Sequence, residues 1–177
     1  MLHPPEKFET ERLIIRKIRK SDANDIFHKY AKYPNATKYI SWPTHKSIED
    51  TYKFLETKSD WGADNDFTYI IVHKHTGEFI GSIGFVDEGG RVFIGYVIAE
   101  EQWGNGYTTE AARKILAWLQ QQEGIFRIWA LSDAENIGSI RILEKIGMIK
   151  EAKIEKWVRF VNQENQPKDC VFYVYPK

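Results

Sequence analysis

Residues Gly95-Tyr96-Val97-Ile98-Ala99-Glu100-Glu101-Gln102-Trp103-Gly104-Asn105-Gly106-Tyr107-Thr108-Thr109-Glu110-Ala111 decide the fold. They read as the end of a buried strand, a glycine-bearing loop and the opening turn of an amphipathic helix. The first turn of a helix has unpaired N–H groups at the positive end of its dipole. Gly104 and Gly106 let the backbone close around an anion with no Cβ in the way. The combination suits a phosphate. From Gly104-Asn105-Gly106 alone, an ordinary strand-to-helix turn is an equal alternative. The longer glycine pattern of a dinucleotide fold is absent, and Tyr107-Thr108 does not supply the Lys-Ser/Thr ending of a P-loop.

Working outward, Val92–Ala99 is the strand before this loop and Thr108 to Gln122 the helix after it, with Ala111, Ile115, Trp118 and Leu119 on one face. Upstream, Phe67–Val72, Phe79–Val86 and Val92–Ala99 form an antiparallel meander, turned at Thr76-Gly77 and Glu88-Gly89-Gly90. Arg12–Ile18 is a strand, and Ser21 is placed as the N-cap of a helix carrying Ala23, Ile26, Phe27 and Tyr30, which Pro34 closes. Ser47-Ile48-Glu49-Asp50 is a capping-box start for a second helix. Downstream come a strand at Ile125–Leu131, a helix at Ser139–Ile146 and two strands around Val158 and Val171–Tyr175, separated by a turn at Asn162–Pro167. This alternation predicts an α/β (α+β) mixed sheet in one domain, residues 1–177.

Composition narrows the classes. The chain has 177 residues, 42% of them hydrophobic, enough to bury a core. Lys plus Arg number 25 and Asp plus Glu number 25, and this balance argues against nucleic acid as a partner. Cys170, the single cysteine, excludes an internal disulfide and any cysteine-cluster metal site, and no metal is expected. His73 and His75 read as a solvated hairpin. No apolar run reaches the roughly 20 residues that span a bilayer, and no signal-peptide pattern opens the chain, so a cytoplasmic, non-membrane protein is expected.

A second segment, Asn136-Ile137-Gly138-Ser139-Ile140-Arg141-Ile142-Leu143-Glu144-Lys145-Ile146-Gly147-Met148, adds the decisive pattern. Taken alone, Asn136 and Ser139 read as helix caps as readily as functional groups. Together with Glu9–Arg16, Ser21-Asp22-Ala23 and Trp103–Ala111, in this order and spacing, it resembles the GNAT superfamily of acetyl-CoA-dependent N-acetyltransferases. The RimJ/RimL-type branch, which includes ribosomal-protein N-terminal acetyltransferases, is the most similar.

The resemblance implies a twisted, mostly antiparallel sheet with helices on both faces, splayed between Val92–Ala99 and Ile125–Leu131. In such enzymes the pantetheine arm of acetyl-CoA pairs with backbone on the first of those strands, here Val97 and Ile98, and a backbone N–H near Ile98 meets the oxyanion. The amides of Trp103, Gly104, Asn105, Gly106, Tyr107 and Thr108 hold the diphosphate. Asn136 bonds near the pantetheine, and Ser139 donates to the departing thiolate as the catalytic residue. Trp103 and Thr108 depart from the usual loop pattern, which starts with Gln or Arg and ends with Gly or Ala.

The acceptor is a primary amine. Tyr39 and Trp42 would line its cleft, with aromatic core as their alternative reading. The carboxylate that many members carry on the cofactor strand is replaced by Phe93, and Asp87 and Glu88 read either as substitutes or as turn residues. An ammonium cannot attack a thioester. A peptide α-amine, with a pKa of about 7.7–8.0 against about 10.4 for lysine, needs the least help, so a protein or peptide N-terminus is expected. A small-molecule amine acetyltransferase and a non-catalytic acyl-CoA-binding module are the alternatives. Monomer and homodimer both fit.

Overall fold

The computed structural model describes residues 2–58, 61–62 and 65–176. One mixed sheet runs through it, in the order β1-β2-β3-β4-β5-β6-β8-β7. The strands are β1 (Lys7–Glu9), β2 (Leu13–Lys17), β3 (Asp66–His73), β4 (Phe79–Asp87), β5 (Arg91–Ile98), β6 (Arg127–Asp133), β7 (Ile149–Arg159) and β8 (Pro167–Tyr175). Every neighbouring pair is antiparallel except β5 and β6. The β6 strand starts two residues later than expected because the Phe126 and Arg127 N–H groups both turn to the Gly90 carbonyl.

The helical elements are α1 (Ala23–Ile26, continued as a π-turn over Phe27–Ala31), α2 (Pro34–Thr37), α3 (Ile48–Glu56), α4 (Tyr107–Leu119) and α5 (Ile137–Lys145). α4 and α5 cover one face. Ala111, Ala112, Ile115, Leu116, Leu119 and Leu143 pack there on Leu13, Ile15, Tyr69, Phe85, Ile94 and Ala130. α1 and α3 cover part of the other, where Ala23, Ile26, Tyr30 and Leu55 meet Ile70 and Phe79. α3 starts with the expected box, the Ser47 N–H donating to Asp50 Oδ2 at 3.1 Å.

Two expected helix signals are used differently. The buried Asp22, not Ser21, closes the entry to α1. Its carboxylate accepts the Arg19 N–H at 2.7 Å and two bonds from Arg16 at 2.6 and 2.9 Å. Pro34 begins α2 at its first turn, where the missing N–H costs nothing. The α4 helix stops at Leu119, and the next residues tighten into i to i+3 turns from Gln121 to Trp118 and Gln122 to Leu119.

The sheet opens where β5 meets β6. Only Arg91, Val92 and Phe93 pair with Arg127, Ile128 and Trp129. Beyond that, β5 stays paired with β4 as far as Ile98, and β6 with β8 as far as Asp133. The two strands part into a wedge, as expected for residues 92–99 and 125–131.

Candidate active site

The loop between β5 and α4 has the shape the glycines allow. Gly104 and Gly106 adopt φ of +81° and +78°, the left-handed region that glycine enters without a Cβ penalty. Gly106 is the N-cap of α4, and no side chain caps the helix. Among the described residues, no protein acceptor meets the N–H groups of Gly104, Asn105, Gly106, Tyr107 or Thr108. The first intrahelical bond runs from Glu110 N to the Gly106 carbonyl at 3.1 Å. Five amides at the positive end of a helix dipole are therefore left without a well-formed protein hydrogen bond.

Trp103 is the exception in that run. Its N–H already donates to the Glu100 carbonyl at 3.2 Å, so it is not among the free donors. Its indole Nε1 donates to the Ile98 carbonyl at 3.0 Å and pins the loop to the end of β5.

Arg12 holds the loop from outside. Its Nε donates to Glu110 Oε2 at 2.7 Å and its Nη1 to the Asn105 carbonyl at 3.1 Å. Its guanidinium lies 4.7 Å from the Tyr107 ring centre. Thr10 Oγ1 and the Arg12 N–H both donate to Glu110 Oε1, at 2.6 and 3.0 Å. Burial opposes ionisation of Glu110, but these bonds outweigh it and hold the carboxyl below its ordinary range. An open groove of about 680 Å³ adjoins the loop beside Gly106, lined by Arg12, Arg113, Lys114 and Lys145 and by Glu9, Glu11 and Glu110.

The free edge of β5 follows from the ladder. In an antiparallel pair, alternate residues turn both backbone groups toward one neighbour. Bonds from Glu88 N to Arg91 O and from Ala99 N to Ile80 O, both 2.9 Å, set the phase. Phe93, Gly95 and Val97 therefore pair with β4, and Ile94, Tyr96 and Ile98 face the wedge. This corrects the expectation for Val97: its carbonyl faces β4, where a Cβ on Gly81 would sit 2.3 Å from it. Ile98 keeps its N–H for the wedge, while its carbonyl is taken by Trp103.

Asn136 and Ser139 sit at the start of α5. Asn136 is the N-cap, its Oδ1 accepting the Ser139 N–H at 3.1 Å. The Ser139 hydroxyl is not a cap. It lies 2.9 Å from the phenol oxygen of Tyr96.

On the opposite face of the wedge the walls are aromatic. Phe93 and Trp129 meet at 4.9 Å between ring centres, Trp129 stacks on Phe172 at 6.0 Å, and Trp157 meets Phe172 edge-on at 5.5 Å. The Phe93 ring leans over Gly95, 3.4 Å from where a Cβ would stand. The nearby carboxylates are engaged. Asp87 accepts the Gly90 N–H at 2.6 Å, Glu88 pairs with Arg91 at 2.9 Å, and the buried Asp133 accepts from Glu135 N and Gln163 Nε2. Trp42 packs against Tyr30, His45 and Phe54, and Tyr39 is half-buried under Lys38. Asn162, in the β7–β8 turn, ties down this α2–α3 loop. It accepts from the Thr44 N–H at 2.8 Å and donates to the Thr37 and Trp42 carbonyls at 2.7 and 2.9 Å.

Cys170 is buried, and burial pushes its thiol up to about 11. It is a poor nucleophile at neutral pH. Among the described residues, no group of three or more His, Cys, Asp or Glu side chains is placed to hold a metal ion. No helix of the described residues is long and apolar enough to cross a membrane.

The family model for the acetyltransferase (GNAT) domain matches residues 12–149, which span the loop, the wedge and α5. The chain belongs to the GNAT acetyltransferase family. It is 32% identical over 158 residues to the uncharacterized N-acetyltransferase p20 of Bacillus licheniformis, covering 86% of this chain and 87% of that one. It is 31% identical over 169 residues to the uncharacterized N-acetyltransferase YoaA of Bacillus subtilis, covering 93% of each. A GNAT-family acetyltransferase structure from Bacillus anthracis superposes with a TM-score of 0.83 at 28% identity, over 95% of this chain and 96% of that one. RimL, a ribosomal α-N-protein acetyltransferase solved with coenzyme A, has the same fold, with a TM-score of 0.84 at 17% identity over 96% and 97% of the two chains. This GNAT enzyme is an acetyl-CoA-dependent N-acetyltransferase, and the free amides, outward β5 backbone and wedge suit that cofactor.

Proposed function

We propose that this GNAT enzyme acetylates the α-amine at the N-terminus of a protein or peptide, by direct attack in a ternary complex. Acetyl-CoA supplies the activated thioester. The amides of Gly104 to Thr108 hold its diphosphate, and Ile94 and Tyr96 offer backbone to the pantetheine, with Asn136 beside it. Arg113, Lys114 and Lys145 line the adjoining groove, with Glu9 and Glu11 also on its wall, and are the cations within it that could meet the remaining phosphate of the cofactor. The Ile98 N–H is the donor for developing charge on the carbonyl oxygen.

The observation that carries the acceptor reading is the Phe93–Trp129 pair where the strands part. With the cofactor on the α4 side, the amine reaches the wedge from the aromatic side. An amine leaving water for such walls loses charge by desolvation. The cost is small for a group with a pKa of about 7.7–8.0 and large for one near 10.4. The engaged state of Asp87, Glu88 and Asp133 fits an acceptor that needs no strong base. The likeness to RimL agrees but supports the fold alone. We infer a reducing, cytoplasmic site of action from the single, unpaired Cys170.

Steady-state turnover on N-terminal peptides, polyamines, aminoglycosides and side-chain lysines tests this. Peptides with a free α-amine are expected to give the highest kcat/KM, and their N-terminally blocked forms none. A preference for a high-pKa amine would overturn the acceptor assignment and leave the family intact. Failure of the whole panel to release thiol would favour an acyl-CoA-binding module.

A further inference from the structure

β7 is the edge strand of the sheet, and its register to β8 slips. Ile154 stands opposite Cys170 and Val158 opposite Lys168, so Glu155, Lys156 and Trp157 together face Asp169 alone. Lys156 takes φ of +50°, a left-handed value that a residue with a side chain enters at a cost. Asp169 holds the kink: its Oδ1 accepts the Lys156 N–H at 3.1 Å and its Oδ2 pairs with Lys153 at 2.9 Å. A bulge re-aims the side chain it carries. Here it lays Trp157 edge-on against Phe172, and Trp157 is still 54% exposed. We propose that Trp157 is a specificity-determining residue: it packs against an aromatic or large aliphatic side chain about four residues into the acceptor peptide. This rests on the peptide acceptor proposed above and extends it from the reacting amine to the chain behind it.

The sheet sets the position that is read. Phe93, Trp129, Phe172 and Trp157 make one continuous row of ring contacts, from the point where β5 and β6 part to the sheet edge. They stand on β5, β6, β8 and β7, so the row crosses three strand spacings of about 4.8 Å, roughly 14 Å in all. An extended peptide advances about 3.3–3.6 Å per residue. A chain with its amine beside Phe93 therefore brings about its fourth residue to Trp157. The row is not a self-contained core. A finished core satisfies its buried donors. Among the described residues, Trp129 Nε1 is a buried donor with no partner, and the outer end of the row is open to solvent. A bulge also keeps an edge strand from pairing with another sheet. The kink and the charges of Lys153, Glu155, Lys156 and Arg159 already serve that purpose, and it needs no exposed tryptophan.

The test is a scan of kcat/KM on the intact enzyme. The acceptors are glycine–serine heptapeptides with a free α-amine, in which a single phenylalanine moves from position 2 to position 6. In the wild type the highest value is expected with phenylalanine at positions 3 to 5, about tenfold above the peptide without it. Trp157→Ala should flatten the scan, and Trp157→Phe, which keeps a ring, should retain most of the peak. A wild-type scan that is flat, or that peaks at position 2 or 6, overturns the proposal whatever the variants do. So does a peak that survives in Trp157→Ala. If Trp157 seats a second copy of this chain instead, Trp157→Ala will change the sedimentation coefficient and leave the peak in place, and the proposal fails. If no free-amine peptide is acetylated while another amine is, the acceptor reading itself is wrong. That result is distinct from a flat scan on peptides that turn over.

Discussion

On the α4 side of the wedge, the open groups are backbone. Five N–H groups, from Gly104 to Thr108, and the outward edge of β5 need only the right φ and ψ, which two glycines and one strand supply. On the opposite side the groups are rings. Phe93, Trp129, Phe172 and Trp157 come from β5, β6, β8 and β7, and the neighbouring α2–α3 loop is held by Asn162 from the β7–β8 turn. The first surface is local in sequence and, on the function proposed above, serves the acetyl-CoA that the family shares. The second is assembled from distant segments and can change ring by ring without disturbing the first. This division lets one cofactor site serve different acceptors.

Substitutions can break the two sides separately. Gly106→Val imposes a β-branched residue at φ +78° and places a side chain over the free amides. Losing two amide bonds to phosphate, each worth about 1.5–3 kcal/mol, should weaken coenzyme A binding by at least about 100-fold in calorimetry. Nothing but Arg12 lies within 4 Å of the added Cβ, so the strain stays in the loop and circular dichroism should keep the native helix and strand signal. Asn162→Ala should act on the other side. It removes the tie between the β7–β8 turn and Thr37, Trp42 and Thr44, at a cost of about 2 kcal/mol. The melting temperature should fall by roughly 4–8 °C and the acceptor KM should rise, with coenzyme A affinity unchanged. If coenzyme A affinity fell as well, the two sides would not be independent.

Arg12→Gln tests the support of the cofactor loop. It loses the ion pair to Glu110 and weakens the grip on the Asn105 carbonyl, and coenzyme A binding should weaken by about tenfold without change in acceptor KM. The smallest effect is on pH. The folded pKa of Glu110 is lowered, so its contribution to stability is fully present above the unfolded carboxyl value of about 4.3. That contribution is lost as pH falls through the lower folded value. Acid unfolding of Glu110→Gln should therefore be less steep than that of wild type in this range.

The same division explains what could be read from residues alone. The strands of the meander, α4, α5 and the capping box at Ser47 were legible because hydrophobic period and turn chemistry are local. So was the shape of the loop before α4, since left-handed positions select glycine. The assignment of Val97 to the wedge failed because strand phase depends on where the β4–β5 hairpin turns, and that is fixed by the Glu88–Arg91 bond. Trp103 looked like one more amide donor, but a short turn from Glu100 consumes its N–H. The partners of Tyr96, Arg12 and Asn162 gave no local signal. Their roles come from contacts spanning 43, 98 and 125 residues, which no local pattern records.

Residue-resolved amide exchange with and without coenzyme A tests the central claim most directly. The N–H groups of Gly104 to Thr108, and those of Tyr96 and Ile98, should become protected on binding, while Val97, already bonded to β4, stays as it was. Protection that skips residues 104–108, or that appears at Val97 and not at its neighbours, would contradict the account.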